Sequence, residues 1–182
     1  MVKSINDPIE KVLVSKEQIQ KRVKQLADSI SKDYENKEPS IVVILNGSFI
    51  FAADIVRELN IHVDINFITA SSYKDGCVSS ENLQIKDKSG FDPKGKDIIL
   101  VEDIIDSGRT LSHIKAKFLE EGATSVEICT LLDKPSRRVV DIKAKYTGFE
   151  VPDEFVVGYG LDFAYKYRQY PFVGVLKPQY YE

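Results

Sequence analysis

The sequence predicts an α/β protein: a Rossmann-like, mostly parallel sheet flanked by helices. Three observations carry that expectation. Residues 41–45 form a continuous, largely β-branched run, the pattern of a strand buried on both faces, and residues 97–101 and 126–132 read as two further buried strands. Between them, apolar residues recur at helical spacing. Strand, helix, strand, helix, strand is the order that lays strands side by side in parallel with helices on both faces.

Each element has a local cause. Ser15 and Gln18 form the S-x-x-Q pattern of a capping box, in which two side chains satisfy free amides at a helix start. Ile19, Val23, Leu26 and Ile30 then mark one apolar stripe of that helix. Asn46, Gly47 and Ser48 turn the chain into a second helix over residues 49–59. Ile61, Val63, Ile65 and Phe67 alternate with polar residues, which predicts a half-exposed strand. Residues 71–92 are polar, broken by Gly76 and Gly90, with weak strand signal around Leu83 and Ile85. They read as a long mobile flap, and loops of this length in compact domains often act as lids. A third helix over residues 110–121 ends at Gly122, a C′ glycine. After Pro135 the chain becomes irregular, with strands expected at residues 155–159 and 172–176.

The chain's 182 residues suit one domain with a sizeable core. A net charge of -3 argues against broad binding to nucleic acid or a membrane surface. An anionic substrate would therefore depend on local amides, a few basic side chains and a metal. Cys77 and Cys129 are too few for a disulfide framework or zinc cluster and read as free thiols. The first ten residues lack the apolar core of a secretory signal, and no apolar run approaches the ~20 residues of a membrane helix. A cytoplasmic location is the expectation.

The richest segment is IILVEDIIDSGRT, residues 98–110. A buried strand delivers Glu102 and Asp103, and a loop then carries Asp106, Ser107, Gly108, Arg109 and Thr110 into a helix. Ligands of open parallel sheets bind at the carboxyl ends of strands. Small and hydroxyl residues at a helix start present backbone N–H groups and side-chain hydroxyls, which suits a phosphate monoester. Gly108 allows a turn and a close ligand approach. Carboxylates beside an anion cradle call for a cation, and hard oxygen donors suit Mg²⁺ or ribose hydroxyls. Asp106 or Ser107 is also expected to cap the helix, but capping leaves Glu102 and Asp103 unexplained. Neither G-x-x-x-x-G-K-[ST] nor G-x-G-x-x-G follows a strand, so the two commonest nucleotide loops are absent.

The segment VEDIIDSGRTL, residues 101–111, resembles the phosphoribosyl pyrophosphate-binding motif of type I phosphoribosyltransferases. Residues 45–48, 71–73, 131–134 and 152–168, including FVVGYGLDF, resemble in order and spacing the hypoxanthine-guanine phosphoribosyltransferases. The resemblance covers almost the whole chain. It implies transfer of ribose 5-phosphate from phosphoribosyl pyrophosphate to N9 of a 6-oxopurine, with Mg²⁺. It also implies one domain spanning residues 1–182, with a core of roughly 36–150 and a small hood from residues 1–15 and 151–182.

Carried over by residue, Ser107, Gly108, Arg109 and Thr110 would bind the 5-phosphate, with Glu102 and Asp103 facing the ribose hydroxyls and a metal. Asp106 would exchange a proton with purine N7, since a base that loses a ring proton is a better N9 nucleophile. Asn46, Gly47 and Arg168 would contact pyrophosphate, an arginine fork fitting phosphate oxygens well. Lys134 matches the lysine on the purine 6-oxo group, a donor that favours hypoxanthine and guanine over adenine. Phe155 would stack on the base, and the Val156 backbone would read its edge. Asp162 would lie near the second metal and the pyrophosphate, and Ser72 and Tyr73 would open the mobile loop that closes over the reacting centre.

Asn46 stands where many relatives carry lysine, and a non-proline cis peptide is expected at Leu45–Asn46. His62 and His113 match no role, and His113 is expected at the surface. Relatives are dimers or tetramers, so a homo-oligomer is implied. The alternatives are a regulatory protein on the same fold that binds a nucleotide, RNA or DNA, the nucleic-acid binder wanting a basic face, a transferase preferring xanthine, adenine or orotate, and a metal-dependent phosphohydrolase. Lys134 and FVVGYGLDF speak against adenine and orotate, and the aromatic strand against a hydrolase.

Overall fold

The computed structural model describes residues 8–72, 83–87 and 90–181. Its elements run β1 (Ile9–Val14), α1 (Lys16–Asp33), β2 (Ser40–Leu45), α2 (Phe49–Glu58), β3 (Asp64–Ser72), β4 (Leu83–Asp87), β5 (Asp97–Ile105), α3 (Arg109–Glu120), β6 (Ser125–Asp133), β7 (Tyr146–Glu150), β8 (Val156–Val157) and β9 (Val173–Leu176). Six strands make the main sheet in the order β4-β3-β2-β5-β6-β7, parallel except for β4. A small antiparallel sheet, β1-β9-β8, joins the two ends of the described chain. Tyr73, Gly76, Cys77 and most of the expected flap lie outside the described residues.

The main sheet is covered on both sides because its central strands are apolar on both. Ile41, Val43, Ile99 and Val101 belong to a core shared with α1 and α2. Val42, Ile44, Ile98 and Leu100 belong to a second core, shared with Leu111, Ile114 and Phe118 of α3. Each fully buried aliphatic side chain contributes about 1.5–3 kcal/mol. The α1 capping box forms as expected, with Ser15 N donating to Gln18 Oε1 at 2.7 Å and Gln18 N to Ser15 Oγ at 3.3 Å. All four residues of the α1 stripe are buried. At the other end of α3, Gly122 takes φ +95°, and Ala123 N donates to Phe118 O at 2.9 Å.

Several boundaries differ from the sequence expectation. β3 begins at Asp64, so Ile61 and Val63 lie outside it. Its exposed apolar residues are Ile65 (44%) and Phe67 (48%), while Ile68 is buried. Alternation shows that one face of a strand is apolar, but not which face its neighbours cover. Here α1 and α2 pack over β7, β2 and β5, and Ile65 and Phe67 of β3 remain near solvent. β7 falls in the segment expected to be irregular, and it pairs in parallel with β6. Its Gly148 allows close packing, since a Cβ there would overlap the Leu131 carbonyl. β5 runs four residues beyond Val101, so Glu102 and Asp103 lie within the strand. Val101 faces the first core and Ile105 the second, so the alternation is offset across Glu102–Asp103. The Leu45–Asn46 peptide is cis.

Candidate active site

Strand order reverses between β2 and β5: later strands on one side run β3, β4, and on the other β6, β7. Such a switch point leaves a crevice at the carboxyl ends of the two strands. A cavity of about 280 Å³ occupies it, walled by Asn46 and Gly47 after β2 and by Glu102, Asp103, Asp106, Ser107, Gly108 and Thr110 of the β5–α3 segment. The expected pyrophosphate turn and phosphate loop thus meet in one cavity.

The loop suits an anion for a backbone reason. Gly108, at φ +80°, is the N-cap of α3, and no side chain caps that end. Expected capping by Asp106 or Ser107 is corrected to a lesser contact, in which Ser107 Oγ accepts from Arg109 N at 3.4 Å. First-turn amides, with Thr110 and Leu111 on the cavity wall, remain for a phosphate. A Cβ on Gly108 would crowd Ile142, and its φ disfavours other residues. Arg109 is exposed and does not line the cavity, so its backbone N–H is the part placed at the loop.

Two carboxylates face this anion site. Asp103 N donates to Glu102 Oε1 at 3.1 Å, and Ile104 N to Asp103 Oδ1 at 2.8 Å. Burial, and next the charge of Asp103, pushes the Glu102 carboxyl well above the ordinary range. Burial raises Asp103 too, against hydrogen bonds from Glu102 and Ile104 and the charge of Arg168. Such a pair is held close at a cost that a cation would offset. Among the described residues no three acidic, histidine or cysteine side chains form a complete metal cage. Mg²⁺ needs no such cage: it takes one or two carboxylates and fills its shell with water and substrate phosphates. Glu102 and Asp103 fit that requirement.

The pair also implies a pH dependence. Between the unfolded carboxylate value and the raised native one, native Glu102 holds a proton that the unfolded chain has lost, so stability falls as pH rises through that window. In metal-free buffer, Glu102→Gln is expected to melt about 2–4 °C higher than wild type at pH 8. The two melting curves should converge in acid, below about pH 4. An unchanged midpoint at pH 8 would mean that Glu102 carries no such cost.

Asp106 lies on the cavity wall with one oxygen engaged. Arg137 Nη1 donates to Asp106 Oδ2 at 3.1 Å, and Asp106 Oδ1 is buried with no hydrogen-bond partner among the described residues. Arg137 also bonds Asp153 Oδ1 at 3.1 Å, and Arg138 Nη1 donates to Asp106 O at 3.2 Å. Sequence reasoning missed both arginines and Asp153. The signal was the Arg-Arg pair three residues after Lys134, but its partners are far away in sequence. Lys134 is buried, and Nζ donates to Glu154 O at 2.7 Å with Asp153 Oδ1 at 3.7 Å. That rules out a solvated lysine and sets the ammonium one residue from Phe155. Phe155 is 38% exposed, while Val156 is buried in the small sheet.

Lys134, Phe155, Val156, Asp162 and Arg168 do not line the 280 Å³ cavity. Asp162 is engaged at both oxygens, by Arg168 Nη2 at 2.8 Å and Tyr165 N at 2.8 Å. Arg168 Nη1 donates to Gly160 O at 2.6 Å. A Cβ on Gly160 would overlap the Gly47 carbonyl, and one on Gly47 would overlap Asp103 Oδ2. Asp103, Gly47, Gly160 and Arg168 therefore form one tight stack, which sets the 158–168 segment against the cavity mouth. Tyr159 anchors this segment from behind, its hydroxyl donating to Asp54 Oδ2 at 2.5 Å. Ser72 ends β3, paired with Leu83 of β4. His113 is exposed, and among the described residues Cys129 is a free, buried thiol.

An uncapped helix start, an adjoining acidic pair and a glycine turn meet at the switch point, the arrangement of an α/β enzyme suited to a phosphorylated ligand and a cation. Residues 13–164 match the model of the phosphoribosyl transferase domain, and the chain belongs to the phosphoribosyl transferase family. It is similar to the hypoxanthine-guanine phosphoribosyltransferase of Bacillus subtilis, 47% identical over 96% of this chain and 97% of the relative. The Lactococcus lactis enzyme of the same name is 46% identical over 98% and 97%. A crystal structure of a hypoxanthine phosphoribosyltransferase from Staphylococcus aureus superposes with a TM-score of 0.94 at 41% identity, covering 100% of this chain and 99% of that one. The chain is thus a phosphoribosyltransferase. Among the described residues no helix is long and apolar enough to cross a membrane.

Proposed function

We propose that the protein transfers the 5-phosphoribosyl group of phosphoribosyl pyrophosphate to N9 of hypoxanthine or guanine, giving IMP or GMP and pyrophosphate. The observation that supports the substrate choice is buried Lys134, whose ammonium donates to the carbonyl of Glu154, the residue before Phe155. An ammonium there favours a 6-oxo acceptor and disfavours the 6-amino donor of adenine.

Ser107, Gly108 and Thr110 hold the 5-phosphate on the first-turn amides of α3, with the Arg109 backbone in support. Glu102 and Asp103 would face the ribose hydroxyls and hold Mg²⁺, which would supply positive charge to balance the pyrophosphate. The Gly47 amide in the turn after Asn46, together with Arg168, binds pyrophosphate, and Asp162 orients Arg168. N9 forms its bond to ribose C1′ as the bond from C1′ to the pyrophosphate oxygen breaks. The ring proton passes from N7 to Asp106. Fixed carboxylates near the ribose stabilise the cationic character that develops at C1′. Ser72 and Tyr73 lead into the segment that would exclude water from that centre. We treat residues 1–182 as one domain, with core 36–150 and a hood from 1–15 and 151–182, working as a cytoplasmic homo-oligomer.

Steady-state assays with phosphoribosyl pyrophosphate, Mg²⁺ and each of hypoxanthine, guanine, xanthine and adenine test this reading. Turnover of the first two with adenine silent is the expected result. Turnover of xanthine alone would reassign the base, and no turnover despite phosphoribosyl pyrophosphate binding would favour a regulatory role. Phe155→Ala should raise the KM for hypoxanthine about tenfold, in line with the loss of one aromatic stack. The KM for phosphoribosyl pyrophosphate should stay within about twofold, since its contacts lie on other loops. Equal rises in both would make Phe155 a packing residue.

A further inference from the structure

We propose that Tyr181 backs the aromatic platform on which the purine stacks, and so acts as a positioning residue for base binding. The inference rests on the reading of Phe155 as that platform. Residues after β9 fold back through a short 3₁₀ turn, Pro178–Tyr180. Lys177 N donates to Pro8 O at 3.0 Å, Tyr180 N to Lys177 O at 3.0 Å and Tyr181 N to Pro178 O at 2.9 Å, so the turn is fastened to the small sheet. It lays the Tyr181 ring on Phe155, with centroids 4.7 Å apart and planes inclined by 18°. Phe163 meets Phe155 at 5.6 Å and 86°, an edge contact from the other end of FVVGYGLDF.

Phe155 nonetheless keeps 38% of its surface exposed. A phenyl ring has two faces, and one is taken by Tyr181. The exposure belongs to the remaining face, and that is where a base has room to stack. The Phe155 backbone is held on both sides: its carbonyl accepts from Leu176 N at 2.9 Å, and the preceding carbonyl accepts from Lys134 Nζ at 2.7 Å. Its ring is held only by what packs on it, since a side chain near the surface is otherwise free to change rotamer. Tyr181 therefore fixes which face of the Phe155 ring stays open, and without it the ring swings into the space left behind. On the same reading, phosphate and pyrophosphate bind in the cavity between the β2–α2 and β5–α3 loops, which residues 177–181 do not line.

Steady-state kinetics of Tyr181→Ala, Tyr181→Leu and Tyr181→Phe, run beside Phe155→Ala, test the assignment. Tyr181→Ala is expected to raise the KM for hypoxanthine about five- to tenfold, the worth of one aromatic pair. Its KM for phosphoribosyl pyrophosphate should remain within about twofold. Tyr181→Phe should match wild type, because the ring and not the hydroxyl is used. Tyr181→Leu, which keeps apolar bulk if the alanine variant folds poorly, should fall between. A lowered hypoxanthine KM in Tyr181→Ala would place Tyr181 on the face the base needs and overturn the proposal. An unchanged KM, or equal rises for both substrates, would overturn it as well. If Phe155→Ala shifts the hypoxanthine KM and no Tyr181 variant does, only the role of Tyr181 fails. If none shifts it, the platform reading fails with it.

Discussion

Asp106→Asn is expected to lower kcat by about 10²- to 10⁴-fold, the usual worth of a positioned acid or base. Asparagine keeps the shape of the side chain and its contact with Arg137, but its amide does not accept a proton at neutral pH. The phosphate loop that follows is built from backbone amides, so binding of phosphoribosyl pyrophosphate should change by less than about threefold. Isothermal titration with phosphoribosyl pyrophosphate and Mg²⁺, paired with turnover of hypoxanthine, separates the two effects. Unchanged turnover would remove Asp106 from the proton transfer. A parallel loss of binding and turnover would show that the carboxylate shapes the loop.

Gly47→Ala should be nearly as damaging by a different route. A Cβ at residue 47 would overlap Asp103 Oδ2, and the Gly47 carbonyl is itself packed where a Cβ on Gly160 would fall. The added methyl has no vacant direction, so either the Asp103 carboxylate or the turn after β2 must shift. Displacements of about 1 Å in a reacting site cost on the order of 10²-fold in rate. Overpacking of this kind destabilises by about 1–3 kcal/mol. Combining Gly47→Ala with Asp103→Ala removes the overlapping atoms, so the double variant should be less destabilised than the two single changes summed. Its activity should not return, because Asp103 is then gone. Additive stabilities would show that the glycine is not held against Asp103, and kcat/KM with hypoxanthine near wild type for Gly47→Ala would free the turn of any role.

The arrangement of these residues explains why the cavity-lining part of the candidate site was legible and the part around Lys134 and Phe155 less so. Glu102, Asp103, Asp106, Ser107, Gly108 and Thr110 sit within one strand-loop-helix unit, and they line one cavity because their spacing along the chain is also their spacing around the crevice. Asn46 and Gly47 join them by a rule of sheet topology, since β2 and β5 are parallel neighbours at the point where strand order reverses. Arg137 reaches Asp106 across 31 positions, and Tyr181 reaches Phe155 across 26. Neither residue has a local pattern that announces its partner.

The sequence by itself determined the alternation of buried strands and amphipathic helices, the capping box at Ser15, the glycine stop at Gly122 and the strand-loop-helix unit that walls the cavity. These depend on residues a few positions apart, where backbone geometry dictates who meets whom. Tertiary structure decided which face of β3 is covered, so that Ile65 and Phe67 stay exposed while Ile68 is buried. It also buried Lys134 beside the Phe155 backbone, placed Gly160 on Gly47 and brought the turn after β9 onto Phe155. The physical reason is the same in each case: burial and contact between distant segments depend on how complete layers pack, and no window along the chain contains both partners.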